Sequence, residues 1–479
     1  MNMMNNQYNV TYRIRQISHA VSGISIRKVI VQDIEIFILY ISEISDRNAI
    51  SNNIIKPLLH YHKNELITPE IIISSVIYVD DVFLEYDDDA INDYILQGKT
   101  VILFSNNIGY LVANTVNIEK RGTEAPQIEG TIRSPRDAFT ENMETNLSLI
   151  RYRIKSKALK VEYFRVGKRT KTTVAVLYMV DIANPKYVRD IKNRLQEISV
   201  DGILESGYIQ KFISNNKTSL FPQSGISEKS DSTCAAILSG KLCIMVEGSN
   251  LALIWPQNFI EFFDAADDHY DNTYMGIFVK VIRYAALIIT LTFSSLYVAL
   301  VAYHPDIIPS QYILAIAASR VTVPVNAFTE ALLMELVVEL LREASIRLPK
   351  QIGSAVSIVG TIVIGQAAAS AGLVSPLMII IVALSLMASF AVPDYTIMNP
   401  IRILKFLMLF LTGIFGLFGL VMGITFIVVK LASITSFGIP YTAPVAPFYF
   451  NDIKDFILSN IVLTKKRPEY QKLKDKTKR

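Results

Sequence analysis

Three glutamates one helical turn apart, Glu335, Glu339 and Glu343, interrupt an otherwise apolar segment at 328–348 that Pro349 closes. On a helix at 100° per residue they share with Arg342 a stripe about 100° wide. Leu333, Val337, Leu340, Leu341 and Ala344 cover the rest of the surface. Stacked like charges cost about 0.2–0.5 kcal/mol per neighbouring pair even in water, so helix propensity alone does not explain the stripe. Three arrangements accommodate it. The helix lies in a membrane interface; or the carboxylates are paired internally through Arg342 and Arg347; or the stripe lines a water-filled cavity or pore, because ionisable groups at membrane depth face water or one another. A ring of such helices would concentrate cations and steer them by charge. Glu330, Glu335, Glu339, Arg342, Glu343 and Arg347 are therefore the pore or gating candidates.

No catalytic constellation accompanies them. Gly98-Lys99 and Gly240-Lys241 are not phosphate loops: the first has Asp93 at the leading glycine position, and each precedes a predicted strand rather than a helix. No serine nucleophile elbow, His–Asp–Ser order or paired-carboxylate pocket can be argued, so the chain reads as non-enzymatic, without a cofactor. The five histidines make no ligand spacing with Cys234 or Cys243, which excludes a metal site, and the two cysteines read as buried thiols. The acidic run at 85–89 reads as a solvated loop.

The elements that carry the stripe belong to a membrane. Four uncharged apolar runs, 285–303, 352–373, 375–392 and 406–429, crowd into the second half of the chain. About 20 residues at about 1.5 Å each cross a hydrocarbon core about 30 Å thick. Overall 51% of residues are hydrophobic and the mean hydropathy is +0.34, high for a soluble protein. The net charge of +4 is too small to indicate a nucleic-acid partner. The Asn-rich start has no signal-peptide pattern, so the first half is expected in the cytoplasm. Lys280 and Arg283 before the first run, and the basic stretch 464–479, put both ends on the cytoplasmic side. Four crossings fit that parity and leave Arg402 and Lys405 outside; a fifth crossing near 307–318 would break it. Gly360, Gly365, Gly372, Gly419 and Gly423 would let helix backbones approach closely.

The first half reads as α/β. A helical period is plausible at 29–44, a buried strand at 71–79, a hairpin at 100–116 and a helix at 137–154 that starts near Ser134 or Asp137. Two internal echoes, 75–80 with 175–181 and 95–99 with 237–241, predict two similar strand–helix–hairpin subdomains. The expected order is a 1–65 extension, subdomains at 66–170 and 171–275, a polytopic α-helical transmembrane bundle at 276–436, and a basic tail at 437–479.

A wider pattern then emerges. Glu330 to Glu335 (EALLME), 341–344 (LREA), Arg347-Leu-Pro, Ile358-Val-Gly, Gly365-Gln-Ala-Ala and Gly372-Leu-Val-Ser-Pro resemble the A subunit of the spore germinant receptors, the GerA family. The runs 131–142 (TIRSPRDAFTEN), 203–208 (ILESGY), 304–309 (HPDIIP) and 436–441 (SFGIPY) resemble it also, in the same order. The chain departs from the family pattern at Phe293-Ser294, at 320–326 and at Glu228-Lys-Ser-Asp, where family prolines are missing. These losses put helix kinks, loop shapes and subunit pairing in doubt.

The resemblance implies a non-enzymatic receptor subunit in the inner membrane of a bacterial spore. It implies association with itself in a ring, with a transporter-like B subunit and with a lipoprotein C subunit. In that picture the A subunit releases ions and starts germination. The main reading is thus a ligand-gated ion-release channel subunit. Its rival is a non-conducting signalling scaffold, suggested by the repeated subdomains. A secondary transporter ranks last, since that class needs repeated bundles around a midplane site. Motion from the soluble half would pass through 269–280, and the basic tail would touch anionic lipid or serve solubility.

Overall fold

The computed structural model describes residues 10–62, 67–117, 135, 137–347, 363, 365–458 and 466–477. Gly360, most of the 352–373 run, the opening of the 131–142 motif and the side chain of Arg347 lie outside the described residues. The chain forms two compact units. The first takes residues up to Lys217, Ser224–Pro256 and the stretch from Lys465; the second takes Thr218–Gln223 and Gln257–Thr464.

The first unit contains two five-stranded antiparallel sheets of one plan. β1 (Ile24–Val31), β2 (Ile34–Ile41), β3 (Val82–Glu85), β4 (Thr100–Phe104) and β5 (Tyr110–Ala113) line up as β1-β2-β4-β5-β3. β6 (Leu159–Val166), β7 (Thr172–Met179), β8 (Gly225–Ser227), β9 (Leu242–Val246) and β10 (Ala252–Trp255) line up as β6-β7-β9-β10-β8, the same order five strands on. Successive side chains on a strand point to opposite faces. Ile36, Ile38, Ile102 and Phe104 therefore enter one core, while Leu39, Ile41, Val101 and Leu103 enter another.

Three expectations change here. The stretch 29–44 is not helical: it holds most of the β1–β2 hairpin, closed by Gln32 and Asp33, both with positive φ. Along β2 neighbouring residues enter opposite cores, so Ile36, Ile38, Leu39 and Ile41 are all buried, which a helix with one apolar face does not achieve. Consequently 1–65 is no separate extension, since its strands complete the first sheet, and the second sheet begins at β6 rather than at 171. The run 71–79 is not a strand. Thr68 accepts a hydrogen bond from the Ile71 N–H, and with Pro69 in the first turn it starts the helix α1 (Pro69–Ser75). The echo of 75–80 with 175–181 thus pairs a helix end with a strand. The other echo joins like to like: α2 (Ile91–Leu96) and α5 (Ser230–Leu238) each lead through a glycine, Gly98 at φ +86° or Gly240 at φ +92°, into a central strand. Between them lie α3 (Met143–Arg153), capped by Asn142 rather than Ser134 or Asp137, and α4 (Pro185–Glu197).

The second unit is helical: α6 (Thr273–Val298), α7 (Ser310–Arg320), α8 (Ala327–Arg347), α9 (Pro376–Ser389), α10 (Tyr395–Phe415), α11 (Leu417–Ser433) and α12 (Phe450–Leu458). Among the described residues, two helices are long and apolar enough to cross a membrane, α6 with its continuation to Tyr303, 31 residues in all, and α10, with 21. The helices α9 and α11 are apolar but shorter, 14 and 17 residues. The run 406–429 is therefore not one span. Gly416 turns the chain at φ +60°, a conformation side chains rarely adopt, and α11 folds back on α10. Gly419 faces the Leu411 carbonyl and Gly423 the Met408 sulfur, so the missing Cβ atoms set how closely the two helices lie. Asp394 caps α10 by accepting from the Thr396 N–H at 2.8 Å. That early start places Arg402 and Lys405 inside a helix instead of in an outer link. The segment near 307–318 forms α7, eleven residues, too short to cross by itself. The expected 437–479 tail divides between units: α12 belongs to the second, whereas 466–477 belongs to the first.

Candidate functional site

Helix α8 is rich in Ala, Leu, Met and Glu, all strong helix formers. Asn326 starts it, accepting from the Thr329 N–H at 2.8 Å. Ala327, Glu330, Ala331, Met334, Glu335 and Val338 are buried, the spacing of a single helical face. Leu333, Leu336 and Leu340 are exposed. The acids at 330 and 335 thus point into the unit and the leucines out of it, opposite to a helix floating with its charges in water. The interfacial arrangement is corrected on that ground.

Each inward acid meets a partner from another element. Glu330 is 0% exposed and accepts from the Ser375 N–H and hydroxyl, both at 2.6 Å, and from Arg320 at 2.5 Å. Arg320 also donates to the Tyr297 hydroxyl at 3.0 Å. Glu335 is 1% exposed and accepts from Lys405 Nζ at 2.5 Å and the Ser294 hydroxyl at 2.6 Å. Glu339 takes Arg402 through Nε at 2.8 Å and through Nη2 as well. Arg342 donates to the Ser389 hydroxyl at 2.9 Å and lies 5.6 Å from the Phe390 ring centre. Glu343 is exposed. From position 330 to 342, at about 1.5 Å per residue, these rungs make a polar ladder about 18 Å long.

The cations paired with Glu330, Glu335 and Glu339 are Arg320, Lys405 and Arg402 and not Arg342, which corrects that half of the internal-pairing expectation; the Arg347 half falls on a side chain outside the described residues. Arg320, Arg402, Lys405, Ser294, Ser375 and Tyr297 escaped the sequence reading. A signal was present for two of them. Two cations three residues apart on α10 match two glutamates four apart on an antiparallel neighbour. Ser294, which bonds Glu335, stands at one of the positions that depart from the family pattern. Among the described residues, no group of three or more His, Cys, Asp and Glu side chains is placed to hold a metal ion.

A second charged cluster sits where α6 begins. Asp264 Oδ1 lies 2.6 Å from Lys280 Nζ, and Asp264 Oδ2 2.8 Å from His269 Nε2. Arg283 pairs with Asp268 and donates to the Phe263 carbonyl at 3.1 Å. Burial pushes the Asp264 carboxyl up, but His269 and Lys280 outweigh it and hold the group well below the usual carboxylate range. Burial likewise pushes the His269 imidazole down, and the hydrogen bond and charge of Asp264 reverse this, leaving it raised. The Asp264 contribution is thus present above the ordinary carboxylate pKa and lost as pH falls through its lowered value. The His269 contribution is full below about pH 6.5, the unfolded imidazole value, and lost as pH rises through the raised one. Hydrogen exchange over 264–276 is expected to quicken toward alkaline pH, and His269→Gln to flatten that limb; an unchanged limb would sink the assignment.

The comparisons decide the kinship. Residues 12–470 match the family model of the Bacillus/Clostridium GerA spore germination protein. The chain belongs to the GerA family. Family relatives include the spore germination protein KA of Bacillus subtilis (strain 168), 36% identical, with 93% of this chain and 82% of that one covered. Spore germination protein GerLA of Bacillus cereus is 36% identical over 92% of this chain and 90% of its own. The uncharacterized membrane protein YfkQ of Bacillus subtilis (strain 168) is 36% identical over 88% and 82%. A crystal structure of the N-terminal domain of the A subunit of the Bacillus megaterium spore germinant receptor GerK3 aligns with a TM-score of 0.40 and 24% identity, covering 52% of this chain and 94% of that one. The GerA match takes in the whole ladder, from Ser294 to Lys405.

Proposed function

We propose that this chain is the A-type subunit of a nutrient germinant receptor, that its helical unit lies in the spore inner membrane with both chain ends in the cytoplasm, and that it releases ions when the ladder of α8 opens. Family membership supports the receptor role. The single observation that supports conduction is the row of paired, buried acids and bases along one helix of an apolar unit. Ionisable groups at membrane depth are costly and mark ion or proton paths. In the paired state they close the path, and separation of Glu335 and Glu339 from Lys405 and Arg402 would hydrate it. A ring of copies, a transporter-like B subunit and a lipoprotein C subunit complete the receptor in this reading.

One observation favours the rival scaffold. Glu335 is satisfied on both oxygens by Lys405 and Ser294, as a structural staple would be. Reconstituted receptor in liposomes separates the two. Conduction predicts that nutrient collapses a potassium gradient; a gradient that stands through nutrient addition leaves only the scaffold.

A further inference from the structure

The last described residues do not trail free. Residues 466–477 form a pin closed on itself: the Arg467 N–H donates to the Lys476 carbonyl at 2.9 Å, and its guanidinium pairs with Asp475 at 2.9 Å. Near the tip, Lys472 takes a left-handed conformation. The next residue, Leu473, is 6% exposed and belongs to the core of the second sheet. Its methyls lie 2.7 and 2.8 Å from where a Cβ on Gly240 would stand, so only glycine leaves the seat open. The loop from β7 to α4 and the first turn of α4 hold the pin's backbone. The Tyr187 hydroxyl donates to the Gln471 carbonyl at 2.9 Å, Asn184 Nδ2 to the Lys472 carbonyl at 3.0 Å, and the Lys474 N–H to the Ile182 carbonyl at 3.0 Å. A knob in a core and three backbone-directed hydrogen bonds make a built peptide site, and this chain fills it with its own C-terminal segment.

Within the second unit, α12 lies against the first half of α6. Lys280 Nζ donates to the Phe456 carbonyl at 2.7 Å and stands 4.1 Å from that ring's centre. The chain therefore leaves the first unit at Pro256, runs through the helices, gathers its exit beside its entry, and returns at Lys465.

We infer that the groove formed by Ile182, Asn184, Tyr187 and Gly240 is a docking site for the C-terminal segment, and that the docked segment is a further mechanical tether between the soluble unit and the helices, beside the chain passages at 218–223 and after Pro256. This rests on the receptor reading above. Entry and exit on one side also require an even number of crossings. Gating motion then reaches the helices through the pin as well as through 218–223 and 264–280, rather than through the first joint alone.

Slack tests the tether. Inserting about 20 Gly/Ser residues between Leu458 and Lys466 adds a flexible coil of about 25 Å without touching the groove. Nutrient-triggered ion release from the reconstituted receptor is expected to fall at least tenfold, with the Lys474 amide as protected from exchange as before. Leu473→Asp is expected to expose that amide and to cause the same loss. Release at the unmodified rate from the slackened chain would overturn the tether. Absence of release from the unmodified receptor would instead sink the reading on which it rests.

Discussion

Replacing Lys405 with methionine is expected to destabilise the helical unit by about 3–5 kcal/mol, because it strands a buried carboxylate. Glu335 is 1% exposed, and the Ser294 hydroxyl is its remaining hydrogen-bond donor once the ammonium is gone. Methionine keeps most of the volume, so the loss reports charge and not a cavity. The paired variant Lys405→Met with Glu335→Leu removes both desolvated charges and is expected to recover most of the stability, since buried ion pairs barely outperform apolar packing. Glu343→Gln, on an exposed position, is expected to change stability by no more than about 0.5 kcal/mol. Thermal and denaturant unfolding in detergent micelles measures all three. A single Lys405→Met loss below about 1 kcal/mol would mean that Glu335 is hydrated or protonated, and the ladder would lose its central rung.

That rung also shows how far residue patterns reach. The spacing of Glu335, Glu339 and Glu343 marked α8 as unusual and located its stripe, because helical geometry is local and repeats every 3.6 residues. It did not say which way the stripe faces, since that depends on cations supplied by helices up to 70 positions away. Arg402 and Lys405 looked like a polar link because an apolar run starts just after them; the Asp394 cap, eight residues earlier, decides otherwise. The hairpins at 100–113 and 242–255 were legible from turn residues between apolar strands, which again is local chemistry. The β1–β2 hairpin was not. β2 sends buried side chains to both faces, so its apolar run carries no alternation to distinguish strand from helix. The break at Gly416 was hidden among four glycines of one apolar run, where composition reads as close packing and only the backbone reveals a turn.

Arg402→Leu is expected to raise ion leak through the reconstituted receptor in the absence of nutrient. Glu339 and Arg402 are partly exposed, so losing the pair costs less than losing Lys405 and the fold survives. If the pair holds the closed state, its removal biases the closed–open equilibrium by about 1–3 kcal/mol, which multiplies the open population by about 5–150. Adding Glu339→Leu removes the stranded acid; it is expected to lower cation selectivity while leaving the leak, because the latch is still absent. The exchanged variant, Glu339→Arg with Arg402→Glu, restores a pair of opposite charges and is expected to bring the leak back toward its starting value. Potassium efflux from liposomes, read against an impermeant anion, follows all of these. A staple that conducts nothing predicts instead that every variant holds the gradient and that only melting temperatures move. Equal, low leak across the series, with Arg402→Leu less stable than the exchanged variant, would therefore assign the ladder to structure and remove ion release from this helix.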